Sequence, residues 1–197
     1  MKYIIVGLHS SGKRDVIEVL KSYNIKCGKQ FSSSLNQNDP GYSFEHDKFD
    51  INEVNKVFEN NAYIFLQERP CLQTSAMKEF EGLSMHEFDE NDVFVMSPDQ
   101  LLKITPNAIK EPVCFVWMDN TKRNRKTRYL DQNRTYNFNE REEIEMRDSN
   151  AFIKTIYDFK NSRVLYFANE DPGRVAAVIY ASIKHPELLN LFESLFV

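Results

Sequence analysis

The chain has 197 residues, of which 42% are hydrophobic and 27% charged. That length favours a single domain, and the balance is that of a globular protein rather than a fibrous or disordered one. The net charge of −4 gives no global electrostatic reason for nucleic acid to be the main partner. No run approaches the roughly 18 apolar residues of a membrane span, and the short apolar start is not a signal peptide. A cytoplasmic protein without a membrane partner is expected.

Lys2–Val6 (KYIIV) reads as a buried strand ended by Gly7. From Arg14 to Tyr23, the spacing of Val16, Ile17, Leu20 and Tyr23 predicts an amphipathic helix. Strand, glycine-bounded turn and helix form the opening unit of a parallel α/β fold. Cys27–Phe49 is rich in Ser, Asn, Gln and Asp and reads as a loop-rich insert or a short antiparallel segment. A helix is expected over Asp50–Asn60. Ala62–Gln67, Val93–Met96, Val113–Met118 and Arg163–Ala168 have the apolar character of central strands covered on both faces. Between the first two of these, Glu79–Asp92 carries acids and no Lys or Arg; it reads first as a solvated loop, the alternatives being a segment that binds the acceptor or one that repels wrong ones. A last helix starts with Asp171 as N-cap and Pro172 at its first position, and ends at Pro186.

Cys27, Cys71 and Cys114 are widely spaced, with no C-x-x-C, which fits reduced thiols. His9, His46, His86 and His185 show no metal-ligand spacing.

Gly7-Leu8-His9-Ser10-Ser11-Gly12-Lys13 fits the first seven positions of the phosphate-binding pattern G-x-x-x-x-G-K-[ST]. Glycines let the backbone wrap closely around phosphate oxygens. Successive N–H groups then donate into the concavity, and the following helix points its positive end at the anion. Lys13 adds a full charge where β- and γ-phosphates would lie. The alternative is a Gly-Lys turn with Lys13 solvated. The eighth position is Arg14, where Ser or Thr would place a hydroxyl on Mg²⁺; a guanidinium cannot ligate a metal. Either magnesium is held by other oxygens, or Arg14 itself pairs with phosphate, or the site is catalytically dead.

An acid at the end of a neighbouring strand would be the second metal-linked element. Asp99, beyond Val93–Met96, and Asp119, after Met118, are the candidates; each also suits a turn or helix cap. Lys122–Arg134 (KRNRKTRYLDQNR) is strongly basic. Arg128, Arg134, Arg141 and Arg147 are spaced along a helix–turn–helix that could close over phosphates, offset transferring charge and exclude water. A solvated basic face and an RNA-binding patch are the other readings.

The layout resembles the guanylate kinase family of nucleoside monophosphate kinases over most of the chain. Ser32-Ser33-Ser34 and Tyr42 resemble part of the family's acceptor-binding stretch, and Phe65-Leu66-Gln67-Glu68 its Phe-Leu-Glu segment. Glu81-Gly82-Leu83-Ser84 is similar to a Tyr-Gly-Thr-Ser, and Phe115-Val116-Trp117 to the strand before the lid. Arg128-Tyr129-Leu130 through Arg134, then Glu140–Ile144 and Arg147, resemble the arginine-bearing lid. Tyr157-Asp158 and Asn169-Glu170-Asp171 resemble the late Tyr-Asp and Asn-Asp-Asp.

The resemblance implies a three-layer P-loop kinase fold of class α/β, with a central parallel sheet. The single domain would comprise a core (about 1–30, 92–120 and 151–197), an acceptor-binding insert (about 31–91) and a helical lid (about 121–150). It implies ATP with Mg²⁺ as phosphate donor and a nucleoside monophosphate as acceptor. Gly7, His9, Ser10, Ser11, Gly12, Lys13 and Arg14 would hold the ATP phosphates. Lys13, Arg134 and Arg147 would be catalytic, with Arg128 and Arg141 also in the lid. Ser34, Tyr42, Glu68 and Ser84 would hold the acceptor. The family carries two arginines in the acceptor stretch, whereas Leu35–Gly41 (LNQNDPG) has no basic residue; Arg69 and Lys29 are the nearby cations. Three function classes follow: a phosphotransferase, a catalytically inactive module that binds a protein partner on the same fold, and a nucleotide-binding accessory protein using its basic segment on nucleic acid.

Overall fold

The computed structural model describes residues 1–32, 46–48, 63–70, 78–104, 108–131, 137–159 and 161–195. The opening strand, β1 (Lys2–Val6), is buried along its whole length. It lies between two parallel neighbours, β6 (Val93–Met96) and β7 (Val113–Asp119), and β8 (Arg163–Ala168) completes a sheet ordered β6-β1-β7-β8. Alternation along β1 divides the core. Tyr3 and Ile5 face the first helix, α1 (Lys13–Ser22), and the closing helix (Pro172–Lys184), packing with Val16, Leu20, Val175 and Ile179. Ile4 and Val6 face the other way, toward Phe94, Phe115 and Phe152. The last of these belongs to a long helix, Phe138–Thr155. The result is three layers, helix–sheet–helix, of mixed α/β class.

Local signals account for the helix ends. Asp171 caps the closing helix by accepting a 2.8 Å hydrogen bond from the Gly173 N–H, with Pro172 at the first position. α1 ends at Asn24 in the left-handed region (φ 57°), with Ile25 N–H donating to the Leu20 carbonyl and Asn24 N–H to that of Lys21. These two bonds satisfy carbonyls that the helix end would otherwise leave open. Helical structure continues past Pro186, which opens a short turn leading into a further helix over Leu189–Leu195.

A second sheet, ordered β3-β2-β5-β4, contains β2 (Gln30–Ser32), β3 (His46–Lys48), β4 (Tyr63–Pro70) and β5 (Lys78–Ser84). Two sequence expectations are corrected here. The strand expected over Ala62–Gln67, described from Tyr63 onward, is not a central one: β4 pairs antiparallel with β5, outside the parallel sheet. The acidic stretch Glu79–Asp92 is not a solvated loop. It forms most of β5, then a short helix over Met85–Glu90, and Glu81 is buried. Its charge profile concealed the pairing of Leu83 with Phe65 of β4, both of them buried. β8 also departs from expectation: it is an edge strand whose Val164 and Tyr166 are exposed, so one of its faces is not covered. The helix expected over Asp50–Asn60 lies outside the described residues, as does Cys71. Cys27 and Cys114 are reduced, neither being joined in a disulfide. Among the described residues, no helix is long and apolar enough to cross a membrane.

The junction between the sheets is polar. The amides of Gln30 and Gln100 exchange two hydrogen bonds (3.0 and 2.7 Å), and Gln30 also donates to the Val95 carbonyl. Gln100 and Gln67 both donate to the Glu81 carboxylate (2.5 and 3.0 Å). These four side chains are all buried.

Phe115 sits at the centre of the second core layer, 5.2 Å from the Phe152 ring and 5.3 Å from that of Phe159. Phe115→Ala is expected to lower unfolding free energy by about 3–5 kcal/mol. Urea denaturation followed by circular dichroism measures it; a loss below about 1 kcal/mol would contradict this packing.

Candidate functional site

β1 ends among its two neighbours, so the Gly7–Gly12 segment leaves the sheet at the carboxyl edge, where open α/β sheets place their ligands. Gly7 is required by close approach: a Cβ there would meet the Met118 carbonyl oxygen at 2.5 Å. Gly12 has φ 95°, a left-handed conformation, and immediately precedes α1. Ser10 is also left-handed, at φ 56°. Ser11 is fully buried, and its carbonyl accepts a 2.6 Å bond from the Asn120 side chain. Lys13 opens α1 and folds back across its own loop. Its ammonium donates to the carbonyls of Gly7 (2.7 Å) and Leu8 (3.0 Å). Arg14 follows, half-buried.

Two helices lie against this loop. The first is basic, Lys122–Asp131. A Cβ on Gly12 would meet the Arg128 guanidinium, which pairs with Asp15 of α1 at 2.9 Å. Arg125, only 3% exposed, donates to the Asn120 carbonyl and pairs with Glu142 of the long helix at 2.5 Å. Lys122 reaches the same carboxylate at 2.8 Å. Burial works against the charge on Glu142, but the hydrogen bonds and charges of Lys122 and Arg125 prevail and hold its carboxyl below the usual range.

The long helix makes the most direct contact. The Glu145 carboxylate accepts from the backbone N–H of His9 at 2.5 Å and lies 3.1 Å from the His9 ring Nδ1. Arg141, one turn earlier, donates to its other oxygen at 2.8 Å. The Glu145 side chain is 7% exposed. Burial alone would raise its pKa. The hydrogen bond with His9 and the charges of Arg141 and Lys13 outweigh burial and bring it down to about 2. The His9 ring meets Phe138 edge-on, with centroids 4.5 Å apart, and Tyr129 packs on the same phenyl ring from the basic helix.

The expected site residues are thus partly brought together. Gly7 to Lys13, Arg128 and Arg141 converge. Arg147 does not join them: its side chain is 75% exposed and pairs with Asp148. Arg134, Ser34 and Tyr42 lie outside the described residues. Ser84 caps the Met85–Glu90 helix, accepting from the Glu87 N–H. Glu68 is exposed on β4.

Asp99 lies just beyond β6 and Asp119 is the last residue of β7, the two strands flanking β1, so topology places both beside the loop's strand. Their carboxylates are otherwise engaged. Asp99 accepts from the Ser97 hydroxyl at 2.5 Å and from Gln67. Asp119 accepts from the Tyr166 hydroxyl, which pushes that phenol up to about 12. Among the described residues, no three His, Cys, Asp or Glu side chains gather in a group that could hold a metal. With Arg14 in the hydroxyl position, these donors do not fit a protein-held magnesium ion.

No family model matches the chain, and no curated protein matches it. Among solved structures it is similar to the crystal structure of guanylate kinase from Anaplasma phagocytophilum, with a TM-score of 0.55 over 96% of this chain and 93% of that one. The fold is guanylate kinase-like. At 14% identity the likeness extends to the fold alone.

Glu145, Arg125, Asn120 and Phe138 were not among the expected site residues. A signal existed for Glu145 and Phe138. Phe138, Glu142, Glu145, Ser149 and Phe152 form one buried stripe at alternating steps of four and three. Two glutamates on a stripe bounded by phenylalanines require buried cations or N–H donors.

The depressed Glu145 pKa has a consequence for stability. The folded pKa lies below that of the unfolded chain. Its contribution is therefore complete above the unfolded carboxylate value and lost as pH falls toward about 2. Between about pH 5 and about pH 2 the wild type should lose roughly 3 kcal/mol more stability than Glu145→Gln. Urea titrations at stepped pH provide the comparison; parallel curves would mean that Glu145 is not ion-paired.

Proposed function

We propose that the protein is a nucleotide-binding phosphotransferase of the guanylate kinase type, with the Gly7–Lys13 loop taking the phosphates of ATP and a nucleoside monophosphate or related small molecule as acceptor. The observation that carries this reading is the loop itself. A left-handed Gly12 and Lys13 stand at the carboxyl edge of a parallel sheet, with the Arg128 guanidinium directly over Gly12. Such an arrangement concentrates N–H groups and positive charge where charge builds on a transferring phosphoryl group. In this reading residues 121–150 form the lid and residues 31–91 the acceptor-binding insert. Lys13 stabilises the transferred charge, and Arg128 and Arg141 neutralise phosphates from above.

The polar cluster of Gln67, Glu81, Gln100 and Asp99, the first three of them buried, borders the insert and offers both donors and acceptors. It suits the hydrogen-bonding base of such an acceptor, while Leu35–Gly41 supplies no basic residue for its phosphate. Arg125 is buried in an ion pair, which argues for a structural use of the basic run rather than a nucleic-acid surface.

A second reading, a non-catalytic module that binds a protein partner, is favoured by Arg14 at the hydroxyl position and by the carboxylate on the His9 N–H. Coupled ADP release from Mg·ATP, with a panel of ribo- and deoxyribonucleoside monophosphates, separates the two. The phosphotransferase releases ADP only with an acceptor, and Lys13→Ala lowers the rate by roughly 10²–10³-fold. Absence of acceptor-dependent release from folded protein supports the module.

A further inference from the structure

The Glu145 carboxylate is an anion already seated on the loop. Its oxygen lies 2.5 Å from the His9 N–H, and the charge of Lys13 acts on it. It is held from three sides. Arg141 fixes its second oxygen, and the His9 ring lies against the first. Phe138, at the start of the same helix, packs edge-on against that ring. An acid on the exposed face of the long helix, such as Glu143, has no such seat. Phosphate-binding loops use backbone N–H groups and a lysine to hold oxyanions, and here a side-chain carboxylate engages one N–H and the field of the lysine. Two anions cannot share that position without a costly like-charge contact.

We propose that Glu145 is a built-in competitor for the loop, so that a polyphosphate binds only by displacing its carboxylate from the His9 N–H. This rests on the reading of Gly7–Lys13 as a phosphate loop. The exchange is anion for anion. The carboxylate leaves the N–H, a phosphate oxygen takes its place, and Arg141 is left to accompany either one. Intrinsic affinity for phosphate is then masked in the resting protein, and any contact that draws the long helix outward unmasks it. Arg125 and Lys122 couple the basic helix to that movement through Glu142.

The test is calorimetric titration of the full chain with inorganic tripolyphosphate, in the wild type, Glu145→Gln, Glu143→Gln and Lys13→Ala. Glu145→Gln should bind at least about tenfold more tightly than wild type, while Glu143→Gln stays within about twofold. Equal gains in both glutamine variants would reduce the effect to general charge and overturn the proposal. Equal affinity of wild type and Glu145→Gln, with binding lost in Lys13→Ala, would leave the phosphate loop standing and remove the competitor. Failure of every variant to bind, or binding indifferent to Lys13→Ala, would overturn the loop reading and the proposal with it. A second measurement needs no glutamate variant. Tripolyphosphate should shift the side-chain carboxyl ¹³C resonance of Glu145 and the His9 amide together in the wild type. Saturation with an unmoved Glu145 carboxyl would overturn the displacement.

Discussion

Everything at the site depends on β1 being held between two parallel partners. Its residues are buried on both faces, and hydrogen bonding on both edges leaves it no freedom to slide. The turn that follows must therefore emerge at one place, among the carboxyl ends of β6 and β7. Gly7 can leave the strand there because it lacks the Cβ that would strike the Met118 carbonyl. The position of Lys13 and the direction of α1 follow from that exit. The chemistry available to the loop is set by sheet registration before any side chain of the loop is considered.

The second determinant is how the fold accommodates charge beneath the two covering helices. A buried carboxylate survives only with hydrogen bonds and opposite charge around it. Glu142 obtains both from Lys122 and Arg125, and Glu145 obtains them from His9 and Arg141. The two glutamates lie on the same stripe of one helix, yet their partners differ. One belongs to the basic helix and the other includes the backbone of the loop. The long helix thereby fastens the basic helix and the loop to a single rigid element. The charge-rich composition of residues 121–150 reflects this internal pairing as much as any ligand.

Much of the core was legible in the sequence because its elements are short, apolar and punctuated. β1, β6, β7, the amphipathic stripe of α1 and the Asp171-Pro172 helix start all follow from periodicity and capping. The second sheet was less legible. In β5 the apolar positions are interrupted by acids, so that burial of Glu81 among glutamine donors looks from composition like solvent exposure. The exposed face of β8 was missed for the opposite reason, since an apolar run does not reveal whether anything covers it. Gly7, Gly12 and Lys13 announced themselves by pattern. Glu145, which meets the same loop at His9, lies more than a hundred residues away and could be found only by asking why a helix would bury two acids.

The reciprocal amide pair of Gln30 and Gln100 bears on how the two sheets find each other. Greasy surfaces tolerate small offsets, because burial hardly changes when one slides over another. Two amides that exchange donor and acceptor have no such tolerance. A displacement of a couple of ångströms leaves several buried polar atoms without partners at once. The seam between the sheets thus behaves like a keyed joint: attraction across it is modest, but misalignment is heavily penalised. The small sheet is thereby indexed to the large one.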